Sequence, residues 1–360
     1  GQYQEALKYY QQALEMRQVV YTDNHPHIAA SLSNIGDVYK ALGQYQEALK
    51  YYQQVLEMRQ DFYTDNHPRI AASLSDIGDV RKALGQYQEA LKYYHQALEM
   101  KQHLYTGNHP SIARSYNNVG SVYEILGRYQ EALKYYQQAL EMQKHLYMCN
   151  HPDIAISFNS LGSVYQALGQ YQEALKYYQQ AFEMMKVLYT GNHPRIAILL
   201  NNLGSVHQAL GQHQEALKYY QQALEMNKHL YMCNHPDIAI SLNDLGSVYQ
   251  ALGQYQEALK YYQQAFKMRQ VLYIGNHPDI AISLNNLGNI FKALGDYSEA
   301  LVYYQQALDM RKALYPCNHP DVVGSLNNLG DVYQTLGQYP ASLDYHQQAL
   351  DMRKALYMGN

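Results

Sequence analysis

The histidines of this sequence are the first residues whose type and spacing suggest chemistry. An Asn-His-Pro tripeptide places them at His25 and then every 42 residues as far as His319, eight times in all. Histidine can act as a general base or bind a metal, but catalysis needs a nucleophile, a base and an orienting group that converge on one point. A ladder of identical loops does not converge. We therefore interpret these histidines as structural turn residues and expect no catalytic residue and no enzymatic activity.

The cysteines give no stronger indication of chemistry. Cys149, Cys233 and Cys317 occupy the same loop position and lie 84 residues apart. Because neighbouring packed helices lie roughly 8–10 Å apart, loops two repeats apart should be separated by about 20 Å. A disulfide tolerates Cα separations of up to about 7 Å. We therefore expect no disulfide within the chain and a reducing, cytoplasmic compartment. No second ligand pair has the spacing of a zinc site, so we expect no metal and no cofactor.

The histidines and cysteines belong to a repeat that organises the whole chain. A 42-residue block starts at Gly1, Gly43, Gly85, Gly127, Gly169, Gly211, Gly253 and Gly295, and a terminal half block starts at Gly337. A fixed period of this length is typical of a solenoid, which offers a long repeated surface. We expect residues 1–360 to form one such solenoid. Because the sequence starts within a repeat, we also expect it to be a fragment of a longer array.

The bulk composition argues against two classes of partner. Charged residues make up 16% of the 360 residues, and the formal net charge is −4. A nucleic-acid-binding protein needs a basic face to displace counterions from phosphates. The sequence also contains no run of 18 apolar residues, so no segment is expected to span a membrane. We expect neither a nucleic acid nor a membrane as partner.

Each repeat is predicted to form two helices. In the segment 26–42, the apolar residues follow one another in steps of three and four, which marks one face of a helix. Pro26 suits the first turn of that helix, where its missing N–H costs nothing. Gly43 is expected to adopt a left-handed conformation after the helix end. The segment 44–63 has a second helical pattern, and an Asn-His-Pro loop follows it.

Six residues of this unit resemble a known family. Leu32, Ile35, Gly36 and Tyr39, followed by Ala48 and Tyr52, are similar to the tetratricopeptide repeat pattern, with Leu32 in place of the usual tryptophan. The 42-residue period and the recurring Asn-His-Pro loop resemble the kinesin-light-chain subtype. The resemblance implies an all-α fold: a right-handed superhelix, or α-solenoid, of antiparallel helix pairs.

Glycine inside the first helix indicates close packing. Gly36 recurs in all eight blocks, although glycine costs about 1 kcal/mol in a helix relative to alanine. We expect a close approach of the paired helix, with Ala48 as its small partner and Tyr39 between the helix pairs. Arg81 replaces that tyrosine in the second repeat, so we predict looser packing there and at the C-terminal end.

Family resemblance implies that the first helices line a concave groove that binds short peptides. The predicted groove residues are Asn117, Asn118, Asn159, Asn201, Asn202, Asn243, Asn285, Asn286, Asn327, Asn328, Ile156, Ile198, Ile240, Ile282, Ser163, Ser205 and Ser247. Asparagine offers both donors and an acceptor, so a ladder of asparagines can hold a peptide backbone without reading its sequence. The isoleucines could accept apolar side chains. In the alternative interpretation, asparagine bridges neighbouring helices and isoleucine packs between them.

The predicted function is a protein-protein interaction module that binds an extended peptide or partner segment. Kinesin-light-chain grooves that accept acidic cargo carry basic residues, whereas the groove positions here offer only Lys40, Lys82, Arg114 and Lys292. A neutral or apolar ligand therefore fits better.

Two alternative functions follow from other features of the sequence. The helix predicted at 1–21 has no first-helix partner, so the chain could be a scaffold that self-associates through its uncapped terminal helices. The repeats could also form the sensor region of a larger signalling protein.

Overall fold

A computed structural model of the chain describes residues 2–21, 24–63, 66–315 and 317–358. Within these ranges the regular secondary structure consists of 17 α-helices. The chain divides into two compact units, Gly1–Leu188 (unit 1) and Tyr189–Asn360 (unit 2).

The helices alternate between the two predicted types. Unit 1 contains α1 (Gln2–Val20), α2 (Pro26–Ala41), α3 (Tyr45–Phe62), α4 (Pro68–Ala83), α5 (Tyr87–Leu104), α6 (Pro110–Ile125), α7 (Tyr129–Leu146), α8 (Pro152–Ala167) and α9 (Tyr171–Leu188). Unit 2 contains α10 (Pro194–Ala209), α11 (His213–Leu230), α12 (Pro236–Ala251), α13 (Tyr255–Leu272), α14 (Pro278–Ala293), α15 (Tyr297–Leu314), α16 (Pro320–Thr335) and α17 (Tyr339–Met358).

The predicted helix pairs are confirmed, with boundaries that differ by one residue. The segment 26–42 forms α2, which ends at Ala41, and the segment 44–63 forms α3, which begins at Tyr45. Gly43 has a φ of 72°, the left-handed conformation expected after the helix end. We call the helices that begin at proline, from α2 to α16, first helices and the others second helices.

The recurring histidine caps each first helix. Nδ1 of His193 accepts a hydrogen bond from the backbone N–H of Arg195 at 3.2 Å. Its ring also stacks on Tyr189 with a centroid distance of 3.8 Å. The same cap and stack occur at the other seven histidines, from His25 to His319. The side chain satisfies a backbone donor of the first turn, which would otherwise have no partner in the helix.

The recurring glycine packs against a tyrosine rather than against the alanine that we expected. A Cβ added at Gly36 would lie 2.9 Å from Cε1 of Tyr52. The Tyr52 hydroxyl donates to Asp37 at 2.5 Å, which fixes the ring over the glycine. The expectation that Ala48 is the small partner is wrong, because the flat ring of the second helix fills that space. The same arrangement recurs in the following repeats, with His346 in place of tyrosine at Gly330.

At four junctions an arginine of the second helix bonds to the next first helix, and we call this contact the clamp. In α13, Nη1 of Arg269 donates to the Asp279 carbonyl at 3.1 Å and to Ser283 Oγ at 2.7 Å. Arg17, Arg59 and Arg311 make the same two bonds at their junctions. At Arg269 and Arg311 the clamp satisfies a half-buried carbonyl and a buried hydroxyl.

Arg81 departs from the aromatic packing of the other repeats. Tyr39 stacks on Tyr51 of the paired helix at a centroid distance of 5.4 Å, and His207 stacks on Tyr219 at 5.2 Å. At Arg81 the guanidinium Nε is buried and has no hydrogen-bond partner. Arg81 thus replaces a stacked ring at this position, and the looser packing expected there stays a prediction.

Candidate functional site

Most of the predicted asparagines bond to a neighbouring first helix or to a residue beside it. In unit 2, Asn286 donates to Asn243 at 2.9 Å and Asn328 donates to Asn285 at 2.7 Å. Asn327 Oδ1 lies 3.3 Å from the Nδ1 atom of His346. These side chains are only half-buried. The bridging that the alternative interpretation describes is therefore present, and a partly exposed amide edge remains.

Two predicted asparagines bond to a serine of the neighbouring first helix, because that helix has no asparagine two residues before its recurring glycine. Asn201 donates to Ser241 at 3.4 Å, since Asp244 occupies the place that Asn286 holds in the next repeat. In unit 1, Asn117 donates to Ser157 at 3.1 Å. Asn118 is half-buried, and Asn159, Asn202 and Ser205 have interaction partners of their own.

The predicted serines also join neighbouring first helices. Ser163 donates to Glu124 at 2.6 Å in unit 1. Ser247 accepts from Gln208 at 2.9 Å in unit 2. These hydroxyls therefore contribute to the packing of the helices against one another.

The predicted isoleucines of unit 2 are the exposed members of the set. Ile198, Ile240 and Ile282 have exposed fractions of 48%, 42% and 40%, whereas Ile156 of unit 1 is half-buried. The three exposed side chains repeat every 42 residues beside the asparagines. We call the surface formed by Ile198, Ile240, Ile282 and Asn201, Asn243 and Asn285 the first-helix face.

A pocket of about 320 Å³ opens in this face between α10 and α12. Five predicted residues line it: Ile198, Asn201, Asn202, Ser205 and Ile240. The structure thus brings together residues that the sequence assigned to a binding surface. Tyr220, Asn227, Asp237 and Asp244 complete the lining.

The inner part of the pocket is rich in acceptors. The pKa of Asp244 is raised to about 6, chiefly because burial disfavours its charged form. Asn227 is 1% exposed, and its amide donates to the Asp237 carbonyl at 3.3 Å and to Ser241 at 3.1 Å. Its Oδ1 atom is buried without a hydrogen-bond partner. Sequence reasoning missed Asn227, although its position was marked by the arginine found there in several other repeats.

Two further pockets lie away from this face. One in unit 1 is lined by Gln60, Ile70 and Met100, and one in unit 2 by Gln270, Ile280 and Met310. These sets occupy equivalent repeat positions, 210 residues apart. The two pockets therefore reflect the regular packing of second helices rather than a feature of one repeat.

Among the described residues, no group of three or more His, Cys, Asp or Glu side chains could hold a metal ion. Cys149, Cys233 and Cys317 are unpaired and exposed. No helix of the described segments is long and apolar enough to cross a membrane.

Comparison with family models decides the family. The tetratricopeptide repeat model matches residues 1–61, 69–145, 153–229, 195–270 and 237–313, and a second model of that description matches residues 322–357. The chain belongs to the tetratricopeptide repeat family. A search of curated proteins finds no significant match. Tetratricopeptide repeats are in general non-catalytic scaffolds for protein interaction.

Solved structures place this tetratricopeptide chain near kinesin-light-chain-like proteins. A kinesin light chain-like protein of Podosopora anserina with nearly identical TPR-like repeats is 28% identical, with a TM-score of 0.50, over 57% of this chain and 98% of that chain. BtubC of P. vanneervenii is 22% identical, with a TM-score of 0.52, over 69% and 93%.

A third solved structure matches nearly the whole tetratricopeptide chain. The signal transduction ATPase with numerous domains from Pyrococcus horikoshii, which has a tetratricopeptide repeat sensor, is 16% identical, with a TM-score of 0.66. The match covers 99% of this chain and 54% of that chain. At this identity the likeness concerns the fold alone.

Proposed function

We propose that the first-helix face of unit 2 binds an extended segment of a partner protein. The observation that carries this proposal is the row of exposed isoleucines, Ile198, Ile240 and Ile282, beside the pocket. Burying apolar surface stabilises a complex by roughly 25 cal/mol per Å² before the costs of association. A peptide laid across the face would cover these side chains, one from each repeat.

The asparagines would give the bound peptide its hydrogen bonds. An asparagine side chain has two N–H donors and an acceptor oxygen with two lone pairs. The bond between Asn285 and Asn328 uses one N–H of Asn328 and one lone pair of Asn285. The rest of this capacity could pair with the peptide backbone, which every sequence shares. Apolar side chains would then set the preference among peptides.

The experiment is a selection of random 12-residue peptides displayed on phage against the intact chain. A variant with Ile198, Ile240 and Ile282 changed to serine should fail to retain the selected peptides. These positions are exposed, so the change should leave the fold intact. Alanine at Asn243 or Asn285 is a poorer test, because it removes a bond between helices as well as a peptide contact.

A matched control removes the same kind of surface elsewhere on unit 2. Val271, Ile274 and Val302 are exposed by 68%, 103% and 49%, and changing them to serine should leave binding unaltered. Circular dichroism would establish that both variants are folded. The proposal fails if the isoleucine variant retains the peptides, if both triple variants lose them equally, or if no peptide is selected.

Self-association is a second candidate function, supported by α1. None of its side chains is fully buried, and Tyr3, Tyr9 and Met16 are exposed by 55%, 62% and 70%. Pairing of this helix with another copy would cover them. Sedimentation equilibrium at several concentrations tests it: a rising mass that Tyr3, Tyr9 and Met16→Ser abolishes would support a scaffold, and a constant monomer mass would exclude one.

A sensor role is a third candidate, suggested by the likeness to the sensor-bearing ATPase. In such a protein, ligand capture by the repeats would be coupled to a second domain. The first-helix face would serve the same purpose there, so peptide selection addresses this candidate as well. Sequencing of the surrounding reading frame would decide whether such a domain accompanies the repeats.

A further inference from the structure

The junction between α11 and α12 lacks the arginine that forms the clamp at four other junctions; Lys101, Gln143 and Met185 replace that arginine at the remaining three. Asn227 occupies the position of Arg17, Arg59, Arg269 and Arg311. Its amide reaches the same two acceptors, the Asp237 carbonyl and Ser241, at the longer distances of 3.3 and 3.1 Å. The shorter side chain leaves its own Oδ1 without a donor. This junction therefore has one acceptor more and one positive charge fewer than the arginine junctions.

The junction between α3 and α4 has the same acidic residue together with the arginine. Asp76 of unit 1 holds the position of Asp244, and Arg59 holds that of Asn227. Burial raises the pKa of Asp76 to about 6, as it does for Asp244, although Lys40 and, more weakly, Arg59 favour the charged form of Asp76. The neutral Gln208 holds the position of Lys40 beside Asp244. At Asp244 the corresponding positive charge on the preceding second helix is missing. A carboxylate buried without an adjacent cation is unfavourable.

Arg269 is the charged neighbour that remains near Asp244. It favours the charged form of the carboxyl, but its guanidinium donates to the Asp279 carbonyl and to Ser283 at the following junction. The amide of Asn243 also hydrogen-bonds Asp244. Asn227, which holds the position of Arg59, lines the pocket together with Asp244.

We propose that the pocket between α10 and α12 accepts an arginine side chain of the bound partner segment. This inference rests on the proposed function and names the chemistry that the first-helix face selects. The guanidinium would donate to Asp244 and, after a small rotation of the Asn227 side chain that exposes its buried Oδ1, to that atom as well, as charge-assisted bonds to a carboxylate and an amide. The aliphatic stem of the arginine would lie against Ile198 and Ile240.

The probes are two small molecules that differ in one charge. Acetyl-arginine amide and acetyl-citrulline amide have nearly the same shape, but citrulline carries a neutral urea in place of the guanidinium. Titration into the ¹⁵N-labelled chain should move the amide signals of Asn201, Asn227 and Asp244 with the arginine compound alone. Nα-acetyl-lysine amide, whose side chain is a compact cation without the planar guanidinium, should bind several-fold more weakly than the arginine compound.

Two variants test the site itself and have precedents within the chain. Asn227→Arg restores the residue of Arg59 and Arg269, so it should fold normally and fill the pocket from inside. Asp244→Asn copies Asn202, Asn286 and Asn328 and removes the negative charge. Each should abolish the response to acetyl-arginine amide. Within a selected peptide, arginine→citrulline should weaken binding to the wild-type chain at least tenfold and to Asn227→Arg hardly at all.

The outcomes separate this inference from the proposed function. Equal binding of the arginine and citrulline compounds, no binding of either, or an unchanged response in Asn227→Arg would overturn the arginine pocket. Selected peptides that depend on the three isoleucines but not on arginine would leave the peptide face standing without this pocket. Binding of acetyl-arginine amide without any selected peptide would support the arginine pocket and overturn the proposed peptide-binding function.

Discussion

Two glycines in neighbouring first helices should respond in opposite directions to the same substitution. A Cβ at Gly288 would lie 2.6 Å from Cε1 and 2.7 Å from Cδ1 of Tyr304. A Cβ at Gly324 would meet nothing within 4 Å. We expect Gly288→Ala to lower the free energy of unfolding and Gly324→Ala to raise it.

The magnitudes follow from three terms. Alanine gains about 1 kcal/mol over glycine in the interior of a helix. Forcing Tyr304 away costs about 1–3 kcal/mol as overpacking, because the ring is 1% exposed and cannot move into solvent freely. Its hydroxyl also donates to Asn289 at 2.6 Å, a bond worth about 1 kcal/mol if the shift breaks it. Gly288→Ala should therefore destabilise by about 1–3 kcal/mol, and Gly324→Ala should stabilise by up to about 1 kcal/mol.

Urea unfolding followed by circular dichroism measures both changes. Because repeat arrays can unfold in parts, hydrogen exchange of amides in α14 and α16 should accompany the midpoints. A midpoint for Gly288→Ala equal to or above that of the wild-type chain would refute the argument. It would mean that Tyr304 yields at no cost, and that close packing is not the reason for glycine at this position.

Three further predictions concern single side chains. Asp244→Asn should stabilise the chain by roughly 3 kcal/mol at pH 7, since the pKa of Asp244 rises from 3.8 to about 6 on folding and each pKa unit is worth about 1.4 kcal/mol. The gain should disappear below pH 4, where wild-type Asp244 is protonated in both the folded and the unfolded state. A gain in urea midpoint that does not depend on pH would contradict this prediction. Burial and the charge of Arg195 lower the pKa of His193. The folded chain therefore binds a proton at His193 less tightly than the unfolded chain, and its stability should fall as the pH drops below about 6.5. His193→Asn, which caps the helix at any pH, should flatten this part of the stability–pH profile, and an unchanged profile would rule the explanation out. Arg81→Tyr should raise the stability of unit 1 by about 1–2 kcal/mol, because it removes an unsatisfied buried nitrogen and restores a stacked ring. A urea midpoint no higher than that of the wild-type chain would count against this prediction.

The sequence predicted the helix pairs well because their determinants are local. Periodic apolar residues, proline in the first turn and glycine after the helix end all act within a few residues, so predicted and observed boundaries differ by one position. Contacts between repeats were harder to predict from the sequence. The partner of Gly36 lies 16 residues away in another helix, and spacing alone cannot distinguish Ala48 from the ring of Tyr52.

The candidate site shows the same division between local pattern and tertiary packing. Helical spacing placed Ile198, Asn201 and Ile240 on one surface, and the structure brings all three to one pocket. It left open whether the asparagines bridge neighbouring helices, and the structure shows Asn243 and Asn285 bonded to residues 43 positions further along the chain. Asn227 was overlooked because it lies on a second helix, whose residues were assigned to the core or to solvent.

The clamp has a consequence for how such a gene can change. Its acceptors are a main-chain carbonyl and a serine, which recur at the junctions that carry arginine. Unequal recombination between coding blocks that carry the arginine and the serine would remove or add 42 residues in frame, and the new junction would find the donors and acceptors that it needs. Array length can therefore vary with little penalty to folding. Loss of the block that carries Asn227 would be different, because it would delete the pocket while leaving a well-packed, shorter protein.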